Sequence, residues 1–418
     1  MTSFYNKTTL GGGLRVVSER VDSSSSVAVG IWVACGSRDE KPEENGLAHL
    51  IEHMVFKGTA DRDKLAIAKA IDHLGGQTNA FTTKEHTCFH TRVRPEHLAE
   101  AIDLLSDIFN NSLFASDELE LEKGVIQQEI AMVEDDPEEL AHDLASLSVW
   151  PDHPLGRPVA GTPESVDGLG RDSIVSFIDR TYTGPRIVIS AAGQVEHQQL
   201  LDLIAERIKP RSGVEARFGG GPVSRYGLIV KRRKLEQAHL VITCDFPRVN
   251  DDRRRAAAVL NLVLGGNMSS RLFQEIREQR GLVYNVYSYY TAYQDAGALE
   301  IYAAAAPDRI EETRDLIMKE LLALRSAPPT KEELNEAVNS SKTSLILGGE
   351  SMDSRMSRLG KNELIFGRAI DLAETFYNLE QVTREGLSAL AEEFFSEGRT
   401  SVYVLGPVKK TAGGLAAV

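Results

Sequence analysis

The chain has very few cysteines. Three of its 418 residues are cysteine, at positions 35, 88 and 244. Three scattered thiols cannot form a disulfide framework, so we expect a protein of a reducing compartment.

Long apolar runs are missing as well. No stretch approaches the roughly 20 apolar residues that a membrane-spanning helix needs. Residues 1–7 lack the basic start and apolar core of a secretion signal, and they are not arginine-rich like a transit peptide. We therefore expect a cytoplasmic protein without a membrane partner.

Basic residues are outnumbered by acidic ones. The chain has 47 Lys and Arg against 61 Asp and Glu, which gives a net charge of −14. A nucleic-acid-binding surface would call for clustered Lys and Arg, so we expect no nucleic-acid partner. If acidic groups line a cavity, the charge favours cationic substrates such as basic peptides.

The chain does contain a short motif of metal-binding residues. His49, Glu52 and His53 occupy positions i, i+3 and i+4. On a helix, two imidazoles one turn apart can chelate one zinc ion, while the carboxylate on the same face can reach a metal-bound water. A helix is predicted because apolar residues stand at helical spacing around the motif, namely Leu47, Leu50, Ile51 and Met54.

Two other interpretations of the motif are weaker. A lone His on an amphipathic helix is more often a core or surface residue, but the whole pattern arises rarely by chance in a chain with ten His. A structural zinc site usually has four Cys or His ligands, and Cys35 and Cys88 have no partner at short spacing. We therefore prefer a catalytic zinc site.

Runs of β-branched residues and amphipathic stretches predict an α+β protein. The predicted strands are 14–18, 27–33, 77–82, 86–93 and 187–193 in the first half, and 227–231, 239–244, 283–292, 297–304 and 401–406 in the second. Besides the motif, helices are predicted at 65–74, 95–109, 117–132, 140–150, 173–182, 198–208, 253–264, 270–280, 309–324, 331–347 and 384–395.

These elements come in the same order twice. The segment 393–406 resembles 180–193 at an offset of about 213 residues. We infer two homologous domains of like topology from an internal duplication, each an antiparallel sheet packed with helices. The expected division is a zinc-binding domain at 1–209, a linker at 210–222 and a second domain at 223–418.

A third zinc ligand cannot be chosen from spacing alone. Glu122 and Glu129 are seven residues apart on a predicted helix, so they share one face. Glu134 and other acidic residues that follow could compete with them. The choice of ligand stays open at this level.

Several motifs together resemble the pitrilysin/insulinase family of zinc metallopeptidases, the inverted zincins. They are the stretch 49–53, the stretch 76–82, Glu122 with Glu129, the loop 153–162 and the segment 269–284. The resemblance covers nearly the whole chain and points to mitochondrial-processing-peptidase-like members of about this length. It implies a zinc endopeptidase that encloses unfolded peptides in a chamber and cuts them.

The resemblance implies roles that spacing cannot assign. The family places a glutamate 76 residues beyond the second histidine, here Glu129, as the third ligand of one Zn²⁺ per chain, with Glu122 as a supporting carboxylate. Three protein ligands leave zinc an open position for water, and Glu52 then acts as general base. Asn79 and Ala80 are implied to lie on an edge strand that pairs with the substrate backbone.

Two residues of the second half complete the implied site. Arg277 and Tyr284 match the family's Arg and Tyr seven residues apart, where the tyrosine hydroxyl helps to hold the substrate carbonyl in the transition state. In larger relatives this pair and the zinc lie in opposite halves of a four-domain chain. We therefore predict a homodimer in which Arg277 and Tyr284 of one subunit complete the zinc site of the other.

Two alternatives belong to the same resemblance. The family contains non-catalytic partner subunits, so the chain could be a peptide-binding or scaffold subunit of a hetero-oligomeric processing complex. It could also be a catalytic subunit that needs a metal-free partner. The complete zinc motif and the Arg–Tyr pair in one chain favour a self-sufficient enzyme.

Overall fold

The computed structural model describes residues 4–214 and 220–408. Residues 215–219 of the predicted linker and 409–418 of the predicted second domain lie outside the described residues. The chain divides into two compact units. The first is Met1–Ala131, Pro158–Gly219 and Ile346–Ile370, and the second is Met132–Arg157, Gly220–Leu345 and Asp371–Val418.

The strands and helices follow the predicted α+β pattern. The strands of the first half are β1 (Phe4–Thr9), β2 (Arg15–Arg20), β3 (Val27–Val33), β4 (Gln77–Thr82), β5 (Thr87–Val93) and β6 (Ile187–Gly193). Its helices are α1 (Leu47–Met54), α2 (Lys64–Leu74), α3 (Leu98–Asn111), α4 (Ser116–Asp135), α5 (Pro137–Val149), α6 (Pro163–Asp167), α7 (Arg171–Thr181) and α8 (His197–Arg207).

The second half repeats the pattern and adds helices to it. Its strands are β7 (Gly227–Arg232), β8 (Ala238–Asp245), β9 (Val283–Ala292), β10 (Gly297–Ala305) and β11 (Thr400–Gly406). Its helices are α9 (Arg254–Leu264), α10 (Ile310–Ser326), α11 (Lys331–Gly348), α12 (Met352–Phe366), α13 (Leu372–Glu380) and α14 (Arg384–Phe394), with a π-helical turn at Phe273–Glu278. The predictions omitted β1, α6, α12 and α13, and they made the π-helical turn an ordinary helix.

The two sheets have the same topology. The first has the strand order β1-β2-β6-β3-β5-β4, and the second has the order β7-β11-β8-β10-β9. From β2 onwards each strand of the first sheet has a counterpart at the same place in the second. The prediction of two α+β domains of like topology is therefore confirmed.

The sheets are mixed rather than purely antiparallel, which corrects one detail of the prediction. β2 pairs with β6 in parallel, and β7 pairs with β11 in parallel, whereas the other pairings are antiparallel. A parallel pair needs a long crossover. Between β2 and β6, and between β7 and β11, the chain forms almost all the other elements of its half, and these elements make up the crossover.

One helix of each half packs with the sheet of the other half. α12 packs through Met352, Met356 and Leu359 on a sheet face that includes Trp32, in the first unit. The side chains of α5 pack on the second sheet, within the second unit. α5 and α12 therefore belong to the other compact unit than the division into 1–209 and 223–418 assigns them to, and that division otherwise stays a prediction.

The opposite face of the first sheet positions the site. Its buried core joins the apolar sides of α1, α3 and α7 to β3, β5 and β6. β3 and β6 are buried along their whole length, because strands in the middle of a sheet covered on both faces meet no solvent. α1 is thus held by its apolar side on a rigid sheet.

Candidate metal centre and active site

The motif lies on α1, as predicted. Leu47, Ala48, Leu50, Ile51 and Met54 are buried against the core. The remaining face carries the motif's two His and one Glu, all of which are partly exposed. Burial of one side of the helix therefore presents all three polar side chains on the other.

A buried carboxylate fixes the beginning of α1. Glu40 accepts hydrogen bonds from the backbone N–H of Gly46 at 3.0 Å and of Ala48 at 2.8 Å, which satisfies donors that a helix start leaves unpaired. Gly46 has a φ of 95°, and a Cβ at this position would lie 2.7 Å from the carbonyl oxygen of Ala160. Sequence reasoning missed Glu40, because it precedes the helix by several residues and leaves no capping pattern there.

The two motif histidines meet a carboxylate from α4. Nε2 of His49 and Nε2 of His53 lie 3.8 and 3.7 Å from Oε2 of Glu129. One ligand atom from each of the three residues lies within 4.8 Å of the others. These separations are longer than a hydrogen bond of about 3 Å. They approach the roughly 3.3–3.5 Å between ligands of a tetrahedral zinc ion, so the donor set fits zinc.

Burial keeps the first histidine in the form that a metal requires. The pKa of His49 is lowered to about 4, chiefly by burial and then by the neighbouring His53. The imidazole is therefore neutral at physiological pH, and its lone pair is available for coordination. Its Nδ1 is buried and has no hydrogen-bond partner among the described residues.

The second histidine is oriented by a carboxylate. Nδ1 of His53 lies 2.9 Å from Oε1 of Glu122, and Oε2 of Glu122 lies 2.7 Å from Nζ of Lys57. Burial works to raise the pKa of Glu122, but hydrogen bonds with Lys57 and His53 outweigh it, so the pKa lies below its ordinary value. The ionised Glu122 accepts a hydrogen bond from Nδ1–H of His53, which leaves Nε2 of this ring facing Glu129.

Replacing Glu122 by glutamine is expected to weaken zinc binding about 10- to 100-fold, because His53 loses its charged partner. Zinc affinity measured by competition with a chromophoric chelator checks this. Cleavage at saturating zinc should recover, since Glu122 acts through His53. Glu118→Gln on the same helix, a residue that pairs with Lys64 at the surface, is the matched control and should keep wild-type affinity.

Glu52 is the residue of the motif that is not among the three converging metal-ligand residues, so its carboxylate is available for proton transfer. Burial raises its pKa, whereas the neighbouring Thr82 and the charge interaction with His53 oppose that rise. Its Oε2 is buried and has no hydrogen-bond partner within the part of the chain that the structure describes. A carboxylate oxygen that the protein leaves unsatisfied can accept a proton from water.

Asn79 and Ala80 lie on β4, the last strand in the order of the first sheet. Asn79 is exposed and Ala80 is buried. The side-chain oxygen of Asn79 accepts a hydrogen bond of 2.9 Å from the backbone N–H of Ala80. The Thr82 hydroxyl of the same strand donates a hydrogen bond of 3.5 Å to the carbonyl oxygen of Ala48, so this edge strand meets α1.

Arg277 and Tyr284 lie together in the second unit. Arg277 is in the π-helical turn, and Tyr284 is on β9 with 82% of its surface exposed. The Arg277 guanidinium lies 5.4 Å from the Tyr284 ring centroid and 4.6 Å from that of Phe273, both within cation–π range. The pair thus presents a hydroxyl and a charge at an exposed surface.

Three converging metal-ligand residues beside a carboxylate, carried by an α+β fold, are the arrangement of a metallopeptidase. Residues 15–163 match the model of the insulinase family (peptidase family M16), and residues 168–341 match that of the peptidase M16 inactive domain. The chain belongs to this family.

Relatives and solved structures match this chain over most of its length. An uncharacterized zinc protease of Mycobacterium leprae is 41% identical over 97% of this chain and 93% of its own length. One of Bacillus subtilis is 39% identical over 93% and 95%. Structures of a peptidase M16 inactive domain from Pseudomonas fluorescens and a protease from Helicobacter pylori each match with a TM-score of 0.89 at 20% identity, covering 97% of this chain and 100% of theirs. At that identity the structures support the fold alone.

Among the described helices, none is long and apolar enough to cross a membrane.

Proposed function

We propose that the chain is a zinc endopeptidase that cuts unfolded peptides. The observation that carries the proposal is that the ligand atoms of His49, His53 and Glu129 converge near Glu52, whose Oε2 is buried and unsatisfied among the described residues. The relatives in Mycobacterium leprae and Bacillus subtilis carry the name zinc protease, which supports it.

In the proposed mechanism three side chains bind zinc and a fourth transfers protons. His49, His53 and Glu129 would hold the zinc ion, which when bound polarises the scissile carbonyl and lowers the pKa of its water to about 7. Glu52 accepts a proton from the attacking water and delivers it to the leaving amine. Its raised pKa suits both steps, because a group that titrates nearer to the working pH both takes up and releases a proton readily.

Substrate pairing with β4 is part of the proposal. An extended peptide added to this edge would offer a carbonyl to the N–H of Ala80, in place of the side-chain oxygen of Asn79. Main-chain pairing selects extended, unfolded segments and depends little on side chains. The net charge of −14 favours basic peptides among them.

The remaining group is the substrate-holding pair. Arg277 and Tyr284 would hold the substrate carbonyl as its charge develops, and the exposure of Tyr284 leaves its hydroxyl accessible to a peptide. We place this pair in the active site of a second copy of the chain, which makes the active enzyme a homodimer with composite sites.

Mixing two inactive variants tests the composite site. A Glu52→Gln chain keeps Tyr284, and a Tyr284→Phe chain keeps Glu52, so a mixed dimer contains one intact site. With equal mixing and random exchange, half of the dimers are mixed, and activity should return to about a quarter of wild type. Mixing Tyr284→Phe with the double variant Glu52→Gln/Tyr284→Phe is the control and should recover nothing; equal activity in both mixtures argues against composite sites.

The function itself is tested by mass spectrometry of unstructured peptides incubated with the pure protein. The peptide set contains basic sequences and charge-reversed copies, at low salt. Cleavage by the wild type, but not by Glu52→Gln or a chelator-treated sample, supports the endopeptidase. Intact peptides in every sample, with zinc bound, would instead favour a subunit that needs a partner or only binds peptides.

A further inference from the structure

A second group of metal-ligand side chains lies where α2 ends and α3 begins. His73 is in the last turn of α2, His97 directly precedes α3, and Glu100 is in the first turn of α3. One ligand atom from each lies within 4.8 Å of the others. We propose that these residues form a second binding site, for a divalent transition-metal cation.

The carboxylate of Glu100 faces both rings. Its Oε2 lies 3.3 Å from Nε2 of His73, and its Oε1 lies 3.5 Å from Nδ1 of His97. Both separations exceed an ordinary N–H···O hydrogen bond and match ligand atoms that share one ion. The two rings are 5.8 Å apart and nearly perpendicular, so they approach one point from different directions.

His97 supplies a second observation. Its Nδ1 is buried and, among the described residues, has no hydrogen-bond partner. Buried polar atoms in native proteins are almost always satisfied. A cation between His97 and Glu100 would satisfy this nitrogen.

Arg94 competes with the cation. A guanidinium can only donate, so its 2.7 Å contact makes Nε2 of His97 the acceptor, and a neutral ring then carries its proton on Nδ1. Coordination through Nδ1 requires the proton to move to Nε2 and Arg94 to turn away. Arg94 can turn, because its side chain is 67% exposed. Its charge would still have a partner, because it also pairs with Glu96 at 2.8 Å.

The donor set selects the class of cation. Two imidazoles and one carboxylate suit zinc, cobalt, nickel or copper, whereas magnesium and calcium prefer oxygen ligands. A bound cation would cross-link the end of α2 to the start of α3. Because α2 leads through Gly75 and Gly76 into β4, the cross-link would also restrain the segment that precedes this edge strand.

Calorimetric titration of the zinc-loaded full chain with further Zn²⁺ tests the proposal. The wild type should bind a second equivalent. His73→Gln and Glu100→Gln should weaken this event at least about tenfold, and both variants should fold, because these side chains are 69% and 56% exposed. Asp72→Asn, which removes an exposed carboxylate from α2, is the matched control and should behave as the wild type.

A third variant tests the role of His97 by a gain in affinity. Arg94→Met keeps the aliphatic stem but cannot donate to Nε2, so the second equivalent should bind roughly five- to tenfold more tightly. Unchanged or weaker binding in this variant would overturn coordination through Nδ1. Absence of a second event in the wild type, or equal binding in His73→Gln and Glu100→Gln, would overturn the site, and neither result depends on peptide cleavage.

Discussion

Replacing Glu52 by glutamine is expected to slow peptide cleavage about a hundred- to ten-thousandfold while the protein keeps its zinc. Glutamine has nearly the same shape but cannot accept the proton of the attacking water. Glu52 is not among the three residues whose ligand atoms converge, so metal content should not change. The measurements are kcat/KM on a peptide found in the mixture experiment and zinc content by elemental analysis.

The control for this variant is Glu164→Gln, which removes an exposed carboxylate of the same unit in the first turn of α6. It should retain wild-type activity and zinc. A Glu52→Gln protein that cleaves at the wild-type rate would remove Glu52 from the chemistry. Loss of zinc along with activity would show instead that Glu52 acts on metal binding.

The parts of the fold that could be predicted are those with a local signal. The apolar residues of α1 are spaced for a helix, so the motif's common face followed from periodicity alone. The strands β3, β6 and β9 were predicted with the ends that the structure has, because runs of β-branched and aromatic residues end there at polar or glycine-containing turns.

The parts that could not be predicted depend on contacts distant in sequence. Met352, Met356 and Leu359 of α12 pack on the sheet that contains Trp32. The sequence of α12 alone does not indicate which sheet it packs on. A Cβ on Gly360 would lie 2.5 Å from the Trp32 indole nitrogen, so glycine here is explained only by the packed sheet. β1 could not be predicted either, because only two of the six residues of this edge strand, Phe4 and Tyr5, are hydrophobic.

The candidate sites show the same limit. His49, Glu52 and His53 form a local pattern, but Glu129 could be chosen only through the family resemblance, because its helix also carries Glu122 and Glu134. His73 and Glu100 come from different helices and share no motif. His97 and Glu100 stand three residues apart, which is a signal too common to indicate a ligand pair without the fold.

The assignment of Glu129 as the third zinc ligand leads to a second prediction with a large expected effect. Replacing Glu129 by glutamine is expected to leave less than one tenth of the wild-type zinc after dialysis, and to reduce cleavage at ambient zinc about a thousandfold. A neutral amide is a poor zinc ligand, and two histidines alone hold the ion weakly. Fold stability without metal should change little, because the Glu129 side chain is 41% exposed.

Glu134→Gln provides the matched comparison. Glu134 lies on the same helix, is exposed, and competes with Glu129 as a ligand on sequence grounds. It is absent from the group in which the ligand atoms of His49 and His53 converge, so its amide variant should retain one zinc and full activity. If Glu134→Gln loses zinc and Glu129→Gln keeps it, the third ligand is misassigned. If Glu129→Gln alone loses zinc, the position of the carboxylate on α4, rather than its chemical type, decides which glutamate binds.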